Sequence, residues 1–188
     1  MDCFFFPDNT VLINFTLLDR SDLLEWFVRG AGAWTLSVAR ECERSARIEG
    51  LSAMAGWCTV FGTPLVPGPA ELVDAHAIAD RMRSPGEHSP AQHMGEAETL
   101  AIVLRRRMSA VFLTDDHAAA RAAAAEPLVR GVASTSKILA LAEAAGRIQH
   151  SEARGYLAHL LNEGRVMGNP PLVRDYDDYV LGLTTSVT

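Results

Sequence analysis

The fold is decided by a short apolar stretch that ends in acid, Ala110-Val111-Phe112-Leu113-Thr114-Asp115-Asp116. Its apolar residues are typical of a buried strand. Two carboxylates at the end of such a strand cost free energy unless they are solvated or used. In an open α/β sheet, ligands bind at the carboxyl ends of the strands. The stretch therefore predicts an acidic pocket at that edge of a parallel sheet.

Three further acids recur at predicted junctions between strands and helices. Asp8 follows the apolar run 3–6, Glu41 lies early in a helix predicted over roughly 37–55, and Glu96 begins a helix predicted to end near residue 108. The alternative for Asp8 is a helix N-cap, and for Glu41 an acid favoured by the helix dipole. Clustered carboxylates repel one another unless cations lie between them. The recurrence therefore favours a Mg²⁺ or Mn²⁺ site, of the kind that hydrolyses phosphodiesters.

Short strands alternate with longer helices along the chain, which favours an α/β fold with a mostly parallel sheet. Brief strands are predicted at 33–36 and 128–133. Helices are predicted at 21–28, 70–83, 117–125, 137–145 and 151–163. A loop is expected at 84–90 and a break at 169–171, and the tail from Asp175 has no clear pattern.

The composition limits the classes of function. With 188 residues, 48% of them hydrophobic, the chain is long enough for one domain with a sizeable core. A formal charge of -6 argues against a simple basic nucleic-acid coat, although a nuclease site needs carboxylates. Three widely spaced cysteines form neither a zinc signature nor a disulfide framework, so a reduced cytoplasm is expected. No signal peptide and no membrane span is predicted.

Four ordered segments resemble the acidic motifs of PIN-domain ribonucleases, and most closely those of VapC-like toxins of toxin–antitoxin systems. They are Asp8-Asn9-Thr10-Val11-Leu12-Ile13-Asn14, Val38-Ala39-Arg40-Glu41, Gly95-Glu96-Ala97-Glu98 and Leu113-Thr114-Asp115-Asp116. The resemblance implies a three-layer α/β/α PIN-like fold. A nuclease domain would span 1–150, and a helical extension over 151–188 would pack on it. The resemblance also implies Mg²⁺- or Mn²⁺-dependent cleavage of RNA, frequent homodimers and, for toxins, an antitoxin protein as partner.

The resemblance also assigns roles to residues by position. Asp8, Glu96 and Asp116 would hold the principal metal, and Glu41 a second ion or the attacking water. Thr114 would support the site. Glu98 competes with Glu96 for the third acidic position, and Asp115 competes with Asp116 for the fourth. Candidates for contacts to the RNA backbone are Arg40, Arg44, Arg105, Arg106 and Arg121. For the arginine run 105–107, a solvated helix end is the alternative.

Two other functions stay open. A phosphatase-like enzyme that uses Asp8 as nucleophile would carry Asp-x-Asp after the first strand, whereas this chain has Asp8-Asn9-Thr10. The second is a PIN-like module that binds RNA or protein without cutting it. The presence of all four acids speaks against that module.

Overall fold

Three parallel strands form the central sheet of the structure, a computed structural model that describes residues 2–83, 93–165, 167 and 173–185. They are β1 (Cys3–Pro7), β2 (Ser109–Leu113) and β3 (Val129–Ala133), in the order β1-β2-β3. Leu113 at the end of β2 pairs with Pro7 on one side and Ala133 on the other. The carboxyl ends of all three strands therefore lie at one edge of the sheet. The loop predicted at 84–90 and the break at 169–171 lie outside the described residues.

Helices cover both faces of the sheet because alternate strand residues point to opposite sides. Phe6 and Phe112 pack with α5–α7, whereas Leu113 and Ala133 pack into a second core with the other helices. The molecule is thus α/β with a parallel sheet, compatible with the predicted three-layer α/β/α arrangement. The helices are α1 (Asn9–Leu17), α2 (Ser21–Val28), α3 (Leu36–Ser45), a 3₁₀ helix (Ser52–Gly56), α4 (Trp57–Phe61), α5 (Pro69–Met82), α6 (Met94–Arg105), α7 (His117–Ala124), α8 (Thr135–Ala144), α9 (His150–Asn162) and α10 (Val173–Thr185).

Two predicted elements differ in the structure. Residues 33–36 do not form a strand. The chain makes two isolated parallel bridges instead, one from Gly32 to Phe5 of β1 and one from Thr35 to Leu65, before α3 begins. The helix predicted over 37–55 ends at Ser45. Gly50 then has a φ of 83°, which a right-handed helix does not accommodate, and a 3₁₀ helix follows.

The described part of the C-terminal extension packs on α8. Tyr176 of α10 is fully buried and donates a hydrogen bond of 2.9 Å to Glu143 of α8. The ring of His150, at the start of α9, lies 2.8 Å from the other oxygen of Glu143. The tail that had no clear sequence pattern is therefore helical over 173–185. No helix among the described residues is long and apolar enough to cross a membrane.

Candidate active site

The acids that follow β1 and β2 are held side by side by backbone hydrogen bonds that continue beyond the strands. The N–H of Asp8 donates to the carbonyl of Leu113 at 2.7 Å, and the N–H of Thr114 donates to the carbonyl of Ala133 at 3.0 Å. These bonds fix Asp8 next to the Thr114-Asp115-Asp116 turn. The predicted acidic edge is therefore built by the register of the sheet itself.

Asp8 is 7% exposed and lies at the N-cap position of α1, but its side chain makes no capping hydrogen bond. Its carboxylate instead accepts hydrogen bonds from the hydroxyls of Thr10 at 2.5 Å and Thr114 at 3.3 Å. Burial raises the pKa of Asp8. The Thr10 bond opposes this rise, and the nearby charge of Asp115 adds to it. The hydroxyls of Thr10 and Thr114 are therefore the side-chain partners of the Asp8 carboxylate.

Glu96 and Glu41 approach Asp8 from two other elements, α6 and α3. Burial raises the pKa of Glu96 to about 8, and repulsion from Asp8, Glu41 and Asp116 adds to the shift. Burial likewise raises the pKa of Glu41 to about 7, helped by the charge of Asp8. Each carboxylate therefore faces like charges from other segments. Asp8, Glu41, Glu96 and Asp116 are called the acidic cluster below.

Gly95 lets α6 approach α3 closely enough for this arrangement. A Cβ atom at Gly95 would lie 3.3 Å from Oε1 of Glu41 and 3.2 Å from a methyl group of Val38. Both distances are shorter than ordinary van der Waals contact. The missing side chain of Gly95 thus leaves the space that the Glu41 carboxylate borders.

Asp116 is tied to Asp8 through Thr114. The Thr114 hydroxyl donates to Asp8 and accepts a hydrogen bond of 3.1 Å from the backbone N–H of Asp116. One Asp116 oxygen accepts the N–H of Ala119 at 2.7 Å and so caps α7. Asp116 is therefore both a helix cap and a member of the cluster, and Thr114 lies where a supporting hydroxyl is expected.

Glu98 and Asp115, the alternatives to Glu96 and Asp116, both accept hydrogen bonds at the starts of helices. Both oxygens of Glu98 accept from Ser37 in the first turn of α3, from its N–H at 2.9 Å and its hydroxyl at 2.7 Å. Asp115 accepts the N–H of Thr135 at 2.9 Å at the start of α8, and an amide N–H of Asn14 at 2.9 Å. Buried carboxylates with such partners stabilise the fold. Asp116 also caps a helix, but its bond to Ala119 uses one carboxylate oxygen, whereas both oxygens of Asp115 accept hydrogen bonds. The geometry thus favours Glu96 and Asp116 for chemistry.

The donor set suits a hard divalent cation, since carboxylate oxygens are the ligands that Mg²⁺ and Mn²⁺ prefer. The side-chain oxygen of Asn9, next to Asp8, is buried and has no hydrogen-bond partner among the described residues. It is a further oxygen ligand of the kind these ions accept. Within the same residues, however, no three Asp, Glu, His or Cys side chains are already arranged to hold a metal ion. The residues therefore fit such an ion by the chemistry of their oxygens and by their location at one edge of the sheet.

The arginines predicted to contact RNA lie in two kinds of place. Arg105 pairs with Asp74, and Arg106 pairs with Glu71. Both lie at the far end of α6, about 14 Å along the helix from Glu96 at 1.5 Å per residue. Arg40, Arg44 and Arg121 are exposed, and the charge of Arg44 lowers the pKa of Glu41. Of the five arginines, Arg44 thus has a direct electrostatic link to the cluster.

Sequence reasoning missed a cation beside the site. Arg165, which follows α9, donates from Nε to the side-chain oxygen of Asn14 at 2.7 Å, and Asn14 in turn donates to Asp115. Burial lowers the pKa of Arg165, and the charges of Asp115 and Asp8 oppose this. A second neighbour of the site is His93, whose Nδ1 lies 3.9 Å from Oε1 of Glu96. Asn14 could have been singled out from the sequence, because it lies one helical turn after Thr10 and so near the first acidic segment. No pattern around Arg165 indicated that its side chain would contact Asn14.

The fold and this edge define an α/β protein with a buried acidic site at the carboxyl ends of its strands. Compared with known proteins, the chain matches no protein-family model, no curated protein and no solved structure.

Proposed function

We propose that the chain is a Mg²⁺- or Mn²⁺-dependent endoribonuclease of the PIN-domain type, which hydrolyses RNA phosphodiester bonds at the acidic cluster. The observation that carries the proposal is the convergence of four acids from four separate segments on one sheet edge. Asp8 and Asp116 are joined through Thr114, and the charges of Asp8, Glu41 and Asp116 act on Glu96. Such a concentration of carboxylates is costly unless cations offset it.

In this proposal, each residue has a defined role. Asp8, Glu96 and Asp116 would hold the principal ion, and Glu41 a second ion or the attacking water. Thr10 and Thr114 hold the Asp8 carboxylate in place through their hydroxyls. When bound, the metal activates water and offsets the charge that builds on the phosphate.

Exposed arginines near the cluster would hold the RNA backbone. Arg40 and Arg44 lie on α3 beside Glu41, and Arg121 lies on the helix that begins after Asp116. Arg105 and Arg106 would first have to leave their carboxylate partners. Because phosphate contacts release counterions, RNA affinity should fall steeply as salt rises.

The toxin role, an antitoxin partner and a homodimer remain proposals that rest on the family resemblance. A reduced cytoplasm is the proposed location, in keeping with three cysteines that are free thiols. The alternative is a module that binds RNA without cutting it.

The test is cleavage of a mixed RNA pool by the full chain with Mn²⁺ and with EDTA. We expect cleavage with Mn²⁺ only, and a loss of about 100-fold or more in rate for Asp8→Asn and Glu41→Gln, because metal ligation supplies several kcal/mol. Glu43→Gln is the matched control, since Glu43 is exposed on the same helix as Glu41. Equal cleavage by Asp8→Asn and the unchanged chain would refute the proposal. RNA binding without cleavage would favour the binding module.

A further inference from the structure

A pocket of about 230 Å³ opens next to the acidic cluster, and several of its lining residues have no role in the proposed chemistry. It is lined by the β2–α7 turn, by residues at the starts of α7 and α8, by Val132 of β3 and by Tyr179 of α10. Its charged lining residues are Asp115, Asp116 and Lys137, and Thr114, His117, Ser134 and Tyr179 supply hydroxyl, imidazole and aromatic groups. Asp116 thus belongs to both the pocket and the cluster, so a molecule bound in the pocket would lie beside the site of cleavage.

Lys137 supplies the positive charge of this pocket and is the only lysine in the chain. Its ammonium donates to the carbonyl of Val132 at 3.1 Å. Among the described residues it forms no ion pair, in contrast to Arg105 and Arg106. An ammonium has three donors, so donors remain for a phosphate oxygen.

Tyr179 supplies an aromatic wall. It comes from α10, which Tyr176 anchors to α8 through its hydrogen bond to Glu143. Tyr179 is partly buried against the core of that face, and this burial raises the pKa of its hydroxyl. The ring is therefore held by packing, which is what a stacking surface for a base requires.

The size and chemistry of the pocket indicate its ligand. Its volume of about 230 Å³ is below the roughly 300–1,000 Å³ typical of pockets for drug-sized ligands. Single-stranded RNA is recognised by splaying out bases that stack on aromatic side chains and form hydrogen bonds at their edges. Tyr179 offers the ring, and the exposed His117 offers a polar side chain.

We propose that this pocket binds one nucleotide of the RNA strand next to the scissile bond, with its base against Tyr179 and its phosphate at Lys137. This inference rests on the proposed nuclease function, whose site it extends. It gives the C-terminal extension a role, since Tyr179 of α10 forms part of the binding site.

The single lysine allows a direct test. The full chain, labelled with ¹³C only in lysine, shows one lysine side chain by NMR. Uridine or adenosine 5′-monophosphate is titrated in EDTA, with inorganic phosphate as the separate comparison. We expect a saturable shift of the Lys137 signal with the nucleotides, and weaker binding of phosphate alone. Tyr179→Leu, which keeps apolar packing, should weaken nucleotide binding about 5- to 150-fold, the range of one base–aromatic stack.

The control Arg130→Ala removes a cation near the other end of the sheet, where Arg130 contacts Ser109, and should bind nucleotides like the unchanged chain. The proposal would be refuted if the Lys137 signal does not shift. It would also be refuted if phosphate and nucleotide bind equally well and Tyr179→Leu leaves both unchanged.

The pocket and the proposed nuclease can fail separately. A Lys137 response without metal-dependent RNA cleavage would uphold the nucleotide pocket and refute the nuclease. Metal-dependent cleavage that Asp8→Asn abolishes, without a Lys137 response, would uphold the nuclease and refute the pocket.

Discussion

Glu96 and Glu98 lie two residues apart on α6, yet replacement of each by glutamine should change stability in opposite directions. Glu96 faces the other carboxylates of the acidic cluster, whereas Glu98 accepts two hydrogen bonds from Ser37. Glu96→Gln removes a repelled charge, and Glu98→Gln removes a charge that is hydrogen-bonded. The pair therefore tests whether the geometry separates a functional acid from a structural one.

The magnitude for Glu96 follows from its pKa. The usual pKa is 4.5, and the folded protein raises it to about 8. Between these pH values the folded state holds more protons than the unfolded state, so metal-free stability falls as pH rises. At about 1.4 kcal/mol for each unit of pKa shift, an ionised Glu96 would lower the free energy of unfolding by about 5 kcal/mol at pH values above about 8. Protonation of one carboxyl also reduces the repulsion on its neighbours, so the actual cost is smaller. We therefore expect Glu96→Gln to raise the free energy of unfolding by about 1–3 kcal/mol at about pH 8.5, and by under about 1 kcal/mol at about pH 5.

Glu98→Gln should instead lower the free energy of unfolding by about 1–2 kcal/mol at both pH values, because hydrogen bonds to a charged group are stronger than those to an amide. Denaturant unfolding in EDTA measures both variants. Destabilisation by Glu96→Gln at the higher pH would refute the reasoning. The reasoning would also be refuted if Glu96→Gln raised the free energy of unfolding by the same amount at both pH values.

Three further outcomes are expected. Asp115→Ala should cost about 3 kcal/mol in the free energy of unfolding, because it leaves buried donors without an acceptor; a loss under about 1 kcal/mol would contradict its structural role. Gly95→Ala should lower the rate of metal-dependent cleavage about 10-fold by displacing Glu41, while the free energy of unfolding changes by under about 1 kcal/mol. An unchanged rate would contradict the close contact between Gly95 and the Glu41 carboxylate. Tyr176→Phe should cost about 1 kcal/mol through the lost bond to Glu143, as thermal or denaturant unfolding would show.

The elements with strong local patterns were predictable from sequence. The apolar run before Thr114 predicted a strand, and β2 ends at Leu113. The helix predicted at 70–83 is α5 (Pro69–Met82). The placement of Asp8 beside Thr114 was also predictable, because parallel strands bring their carboxyl ends to one edge.

The remaining features depend on contacts that local patterns do not contain. Glu96 and Glu98 look alike in sequence, and only the approach of α3 separates a repelled carboxylate from one bound to Ser37. Arg165 and Asn14 are 151 positions apart, so no local pattern could pair them. The helix predicted over 37–55 ends at Ser45, where the N–H groups of Arg47 and Ile48 bond three residues back instead of four; no local pattern marked this end.

The central claim is that Asp8, Glu41, Glu96 and Asp116 form one divalent-cation site, and Mn²⁺ binding tests it without knowledge of the RNA target. Mn²⁺ is titrated into the full chain and followed by electron paramagnetic resonance at about pH 6 and about pH 8.5. Because ligands must lose their protons, the unchanged chain should bind more tightly at the higher pH. Asp8→Asn should bind at least about 10-fold more weakly, and Glu43→Gln should bind normally. Equal Mn²⁺ binding by Asp8→Asn and the unchanged chain, or no binding at either pH, would contradict the claim.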